Sequence, residues 1–188
     1  MERAYNPSRK YEEYSYVLDF NTRGKSTTVR GREGIIVTAI GEDRLTLLEI
    51  LGQPNSTFEV GEKIFIGKEG RTKVLSVLGK MSYGRISSSA QTELPGVVEK
   101  IVTENEKRFI DYLNNAQPLT PRIHALELIP GIGKTYMRSI LEEREKKKFE
   151  NFADLQERIG FKEPVKQISK RIMEEVTGET RMNLFVKR

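Results

Sequence analysis

Cysteine and tryptophan are absent from this 188-residue chain, and histidine occurs once, at His124. Without cysteine there is no disulfide framework, no zinc knuckle and no thiol nucleophile. A general base or metal ligand at His124 would need partners, and neither a second histidine nor a carboxylate constellation supplies them. No apolar run approaches the ~20 residues needed to span a bilayer. Met1 to Lys10 is polar where a signal peptide would carry an apolar core. The sequence holds no phosphate-binding loop ending in Gly-Lys-Ser/Thr and no dinucleotide signature of strand, glycines and helix. An enzyme is therefore the minority reading: no catalytic residue, metal or cofactor is assigned, no membrane partner is expected, and a cytoplasmic location is the plain expectation. The missing Cys and Trp, beside abundant Lys, Arg and Glu, are also compatible with a thermophile source.

What is present is charge. Charged residues make up 31% and hydrophobic residues 37%, the balance of a globular chain with a generously charged surface. The length suits one ordinary domain or two small ones. The net charge of +5 and isoelectric point near 9.3 favour a polyanionic partner. Residues 1–90 and 121–188 each carry an excess of basic side chains, whereas 91–120 is slightly acidic.

Periodicity divides the chain the same way. Tyr14–Phe20, Ile35–Ile40, Leu45–Leu51, Ile64–Ile66, Arg71–Leu78 and Tyr83–Ile86 read as short strands, with a turn at Gly41-Glu42-Asp43. That many short strands with polar turns predict a small barrel rather than βαβ units. The phrase Val60-Gly61-Glu62 before a strand is common in OB-type and S1-type barrels, and an OB-like barrel is preferred over 1–88. Ser87–Gln91 reads as a flexible linker. From Thr92 the period is helical, with Pro95 in a first turn and an apolar stripe running through Leu94, Val97, Val98, Ile101 and Val102 to Phe109, Ile110 and Leu113. Thr120-Pro121 predicts a helix start leading through 123–128, and further helices are expected over 135–147, 153–158 and 164–176. The fold class is thus α+β, with a barrel at 1–88, connecting helices at 89–120 and an all-α domain at 121–188. The tail from Met182 is either disordered or packed back.

Leu128-Ile129-Pro130-Gly131-Ile132-Gly133-Lys134-Thr135 is the most informative stretch. Its glycines permit a tight turn and leave no side chain over their N–H groups. Those groups and that of Lys134 open a helix, where unpaired donors and the dipole favour an anion. The bland alternative is a tight helix–helix turn and nothing more. Expected contacts are Gly131, Ile132, Gly133, Lys134, Thr135 and Arg138, joined by Lys162 and Lys166 on a stripe with Lys170. Arg144 and Lys146–Lys148 serve either as dipole caps or as auxiliary phosphate contacts. Around the barrel, Arg23, Lys25, Arg30 and Arg32 form an Arg-Gly patch, read as backbone contacts or as an ordinary solvated loop. Tyr14, Tyr16, Phe65 and Tyr83 are candidate stacking aromatics, half or more of them expected in the core.

Leu126, Leu128, Ile129 and Ile132 before and within the glycines, with Met137, Ile140 and Leu141 after them, resemble the helix-hairpin-helix motif of DNA- and RNA-binding proteins. Phe149, Phe152, Asp154-Leu155 and Ile159-Gly160-Phe161 resemble the second copy of its tandem form. That copy is degenerate, because Lys162 occupies its second glycine and Pro164 follows. The resemblance covers about Pro121 to Thr177. Glu142-Glu143-Arg144-Glu145-Lys146 is similar to a stretch of structure-specific nucleases, but the accompanying spaced aspartates are missing. As a whole the chain resembles an archaeal family of unassigned function, described as predicted RNA-binding, with an OB-like part and a helix-hairpin-helix part. The resemblance implies a non-catalytic binder of nucleic acid, RNA before DNA, with a ribosome- or rRNA-related partner. A DNA-repair or recombination accessory protein and a protein–protein assembly module are the alternatives.

Overall fold

The computed structural model describes residues 4–188. The chain divides into two compact units, one of residues 1–97 with 175–188 and one of 98–174. The boundary between units lies further into the helical region than the sequence suggests, and the tail returns to the first unit.

The first unit is built on a curled antiparallel sheet, a half-barrel of β1 (Tyr14–Lys25), β2 (Glu33–Gly41), β3 (Leu47–Gly52), β4 (Lys63–Phe65) and β5 (Val74–Lys80) in the order β4-β1-β2-β3-β5. Its ladders pair Tyr16 with Ile40, Ile36 with Leu51, Ile50 with Val77 and Ser15 with Ile64. Register shifts at Leu18 in β1 and at Leu75 and Leu78 in β5 bend the strands and tighten their twist. One face carries the core cluster of Val17, Val37, Ala39, Leu48, Ile50, Phe58, Ile64, Ile66 and Val74. All of β3 is buried, so it is covered on both faces.

The half-barrel stays open for a topological reason. With every ladder antiparallel, the edge strands β4 and β5 run in the same direction. Closure would therefore require a parallel pair, which needs a crossover of about a dozen residues or more. The link between them spans only 66–73.

Three local expectations need correction. Tyr83–Arg85 is a 3-10 turn, not a strand. The proposed linker is instead the start of helix α1 (Ser88–Glu104), because the Ser87 hydroxyl accepts the Ala90 N–H at 3.0 Å and donates to Asp19 at 2.6 Å. Pro95 consequently lies inside α1 and not in its first turn, where it forgoes a backbone hydrogen bond.

The second unit gathers α2 (Glu106–Asn115), α3 (Lys134–Lys146), α4 (Phe152–Ile159) and most of α5 (Pro164–Thr177). Phe109, Ile110, Leu113, Leu126, Ile129, Ile140, Leu155, Ile168 and Ile172 are buried there. No α-helix starts at Thr120-Pro121. The Thr120 hydroxyl accepts the N–H groups of Arg122 and Ile123, which closes a turn. Only Ala125–Leu128 is helical, as a single 3-10 turn.

The tail packs back. Phe185 and Val186 are buried, and their amides donate to the fully buried Glu175 carboxylate at 2.9 Å each. Lys187 donates its amide to the Arg44 carbonyl at 3.0 Å.

Candidate nucleic-acid interface

The approach to the glycine hairpin is fixed by reciprocal capping. His124 Nδ1 accepts the Leu126 N–H at 3.1 Å, and Glu127 accepts the His124 N–H at 2.9 Å. Burial, and then the Arg144 charge, hold the His124 pKa below its ordinary value against the opposing pull of Glu127. The other Glu127 oxygen accepts Lys134 Nζ at 2.8 Å, the main cause of its own depressed pKa. Lys134 is therefore an exposed but ion-paired cation.

The two glycines do different work. Gly131 has φ +82°, and a Cβ there would crowd Gln167 and Phe161 at 3.2–3.3 Å, so the fold itself requires glycine. Gly133 caps α3 in an extended conformation, φ −87° and ψ −171°, and a Cβ on it would meet nothing within 4 Å. Its carbonyl accepts the Met137 N–H at 3.0 Å, which leaves the amides of Lys134, Thr135 and Tyr136 without an acceptor among the described residues. Ile132 does not join them. Its side chain is buried and its amide donates to the Ile129 carbonyl at 3.0 Å. Thr135 and Arg138 are exposed, and Arg138 lies one turn along from Lys134 on the same face.

The second turn is a near copy with different ends. Gly160 takes φ +73° and Phe161 is buried, as Gly131 and Ile132 are. The Tyr136 ring meets Phe161 edge-on at 5.4 Å. This turn is one residue longer, so Glu163 caps α5 by accepting the Gln167 N–H at 3.1 Å, and Pro164 opens the helix. Proline removes a donor and Glu163 adds a negative charge, both adverse to an anion. Lys162 and Lys166 are exposed and form no ion pair among the described residues. Lys162 sits in the connection and not on the helical stripe.

The basic run after α3 is largely committed. Arg144 donates to the Leu113 carbonyl, Lys146 pairs with Glu143, and Lys147 pairs with Glu150. Arg158 closes the end of α3 by donating to the carbonyls of Glu143 and Lys147 at 2.6 and 2.7 Å. Arg171, adjacent to the predicted stripe, is buried beside Glu174.

In the first unit, Arg23, Lys25, Arg30 and Arg32 are exposed around the β1–β2 hairpin. Lys25 meets Glu33 at 3.7 Å, an exposed pair worth less than about 1 kcal/mol. An unexpected carboxylate anchors this hairpin. Buried Glu49 accepts the hydroxyls of Ser26, Thr27 and Thr28 and the amides of Thr27 and Thr28. Burial alone would raise its pKa, but these donors prevail and hold it at about 2. A lone glutamate in the middle of an apolar strand was the sequence signal for this anchor. Among the candidate aromatics, Tyr16 is core, with its hydroxyl donating to Glu42 at 3.0 Å. Tyr14 packs edge-on against Phe65 at 5.2 Å, and Tyr83 lies off the sheet.

Together these features describe a mixed α+β protein, with a half-barrel in one unit and two similar interhelical turns in the other. Among the described residues no group of three or more His, Asp or Glu is placed to hold a metal ion, and no helix is long and apolar enough to cross a membrane. The chain belongs to the DUF655 family, described as "Protein of unknown function", which matches residues 11–187. It is 41% identical over 184 residues to an uncharacterised protein of Methanocaldococcus jannaschii, covering 97% of this chain and 83% of the relative. It is also similar to the crystal structure of Af1531 from Archaeoglobus fulgidus, with a TM-score of 0.82 and 37% identity over 94% of this chain and 100% of the other.

Proposed function

We propose that the protein is a non-catalytic nucleic-acid-binding protein, with RNA favoured over DNA, which grips the phosphate backbone at the hairpin of Gly131–Thr135. The observation that carries this reading is Gly133. Neither its backbone angles nor its surroundings require glycine, yet it leaves the unpaired amides at the start of α3 open to close approach. Those amides, with Arg138, Lys162 and Lys166 exposed in the same unit, suit a phosphate and carry no base information. We read the two turns as a helix-hairpin-helix pair with one competent member, and the half-barrel as an OB-like platform whose Arg-Gly hairpin adds contacts. The preference for RNA rests on resemblance.

Substituting Gly133→Thr tests the grip, because threonine caps a helix about as well as glycine and the site has room. The variant is expected to keep its melting temperature and to bind single-stranded and duplex oligonucleotides at least about tenfold more weakly, a loss of about 1.4 kcal/mol. The logarithm of wild-type affinity is expected to fall with the logarithm of salt by about 0.7 per phosphate contact on single strands and about 0.9 on duplex DNA. Undiminished binding by folded Gly133→Thr makes the hairpin purely structural. A flat salt response favours an assembly module instead.

A further inference from the structure

Where the half-barrel fails to close, it leaves a cleft of about 720 Å3 between the β4–β5 link, β5 and the segment leading into β1. Core residues Leu48 and Ile66 and half-buried Val77 line it, giving an apolar floor. Tyr11 stands at its rim with 70% of its surface exposed, more than any other large hydrophobic residue among those described. Lys68 Nζ lies 5.2 Å from the centre of the Tyr11 ring.

The charge around the cleft is one-sided, six cations against three carboxylates. Its arginines are already engaged. Arg71 donates to the Ile66 and Gly67 carbonyls, Arg44 to the Arg9 carbonyl, and Arg9 pairs with Glu13 and Asp43. Lys10, Lys68 and Lys80 pair with no carboxylate among the described residues and remain available. An inorganic anion would have no use for the apolar floor, and an aliphatic peptide would have none for three unpaired lysines. A flat aromatic group flanked by phosphates uses both, and the volume is that of an ordinary small-molecule pocket.

We propose that this cleft receives one unstacked base of a single-stranded nucleic acid, stacked on Tyr11, with the neighbouring phosphates held by Lys10, Lys68 and Lys80. The proposal rests on the nucleic-acid reading above and gives the sheet unit a role distinct from that of the hairpin. Stacking requires a free base, so the cleft confers preference for single strands, whereas the hairpin meets backbone in either form.

The test uses the full chain, a fluorescent 12-nucleotide single strand and the matching duplex, read by anisotropy. Tyr11→Ala is expected to weaken single-strand binding about 5- to 150-fold, the range for loss of one stacked base, while duplex affinity stays within about twofold. Tyr11→Phe keeps the ring and is expected to keep the affinity. Because Tyr11 is exposed, neither change threatens the fold. An unchanged single-strand affinity in Tyr11→Ala, or an equal loss on the duplex, overturns the proposal and leaves the cleft to an acidic peptide. The two sites fail separately. If Gly133→Thr weakens binding and Tyr11→Ala does not, the hairpin stands alone; the reverse result leaves the cleft alone. Absence of binding by the wild type to either probe overturns both.

Discussion

Two buried carboxyls in the sheet unit respond to pH in opposite senses. Glu49 is held at about 2 by donors from Ser26–Thr28, against an unfolded value of 4.5. A depressed carboxyl contributes stability that is present above 4.5 and is lost as pH falls towards 2. Glu12 sits against Gly41, where any Cβ would overlap its carboxyl. Burial is the largest influence on Glu12 and lifts its pKa from 4.5 to about 7, although the Asp43 and Arg44 amides donate to it at 2.9 and 2.7 Å. A raised carboxyl contributes stability that is full below 4.5 and is lost as pH rises through 7. Carboxyl NMR is expected to show Glu12 titrating near pH 7 and Glu49 well below the usual range; midpoints near 4.5 for both contradict this account. Truncation by Glu49→Ala removes the charged acceptor of five part-buried hydrogen bonds and is expected to cost about 1–3 kcal/mol in chemical denaturation at neutral pH.

Among the elements, the turn at Ala125–Leu128 shows where sequence reading stops. The glycine turn and helices α3 to α5 follow from turn chemistry and period, within a residue or two, whereas Ile132, expected as a contact, is buried. The cap on the preceding turn does not follow, because histidine is outside the usual capping set of Ser, Thr, Asp and Asn. Glu127, three residues on, was the one legible half of the box. The start of α1 is hidden for a related reason: a serine run has the composition of a linker, and only the hydrogen bond from the Ala90 N–H to the Ser87 hydroxyl marks it as a helix cap. The His124 cap requires a neutral imidazole, since its Nδ1 accepts a hydrogen bond. With a depressed folded pKa, its contribution is present above 6.5 and is lost as pH falls through the folded value. The protection factor of the Leu126 amide, its exchange relative to the intrinsic rate at each pH, is expected to fall on acidification below that point in the wild type. In His124→Ala it is expected to be low at every pH, with a stability loss of about 1 kcal/mol. Equal, pH-independent protection in both proteins contradicts the capping role.

At the scale of the molecule, the half-barrel depends on a distant stretch of chain. The tail is not legible in the sequence because Leu184, Phe185 and Val186 form an apolar run too short to show a period, and Glu175 gives no sign that it will receive the amides of Phe185 and Val186. Deleting 182–188 removes two buried side chains, worth about 1.5–3 kcal/mol each, and takes two amide donors from the buried Glu175 carboxylate. The melting temperature is expected to fall by on the order of 10 °C. An unaltered melting curve means the tail only decorates the surface. The division into a β-rich and a helical part was legible from period alone. The open barrel was not, because strand direction at the edges is set by pairing and not by composition. An unclosed sheet has a further consequence, for it offers two unpaired borders on which a foreign strand could grow. Neither is a good template. Strand β4 is only three residues long and begins with Lys63, while the extra residues Leu75 and Leu78 break β5 into short, bent runs. The irregularities that curl the sheet thus also guard it against edge-to-edge aggregation.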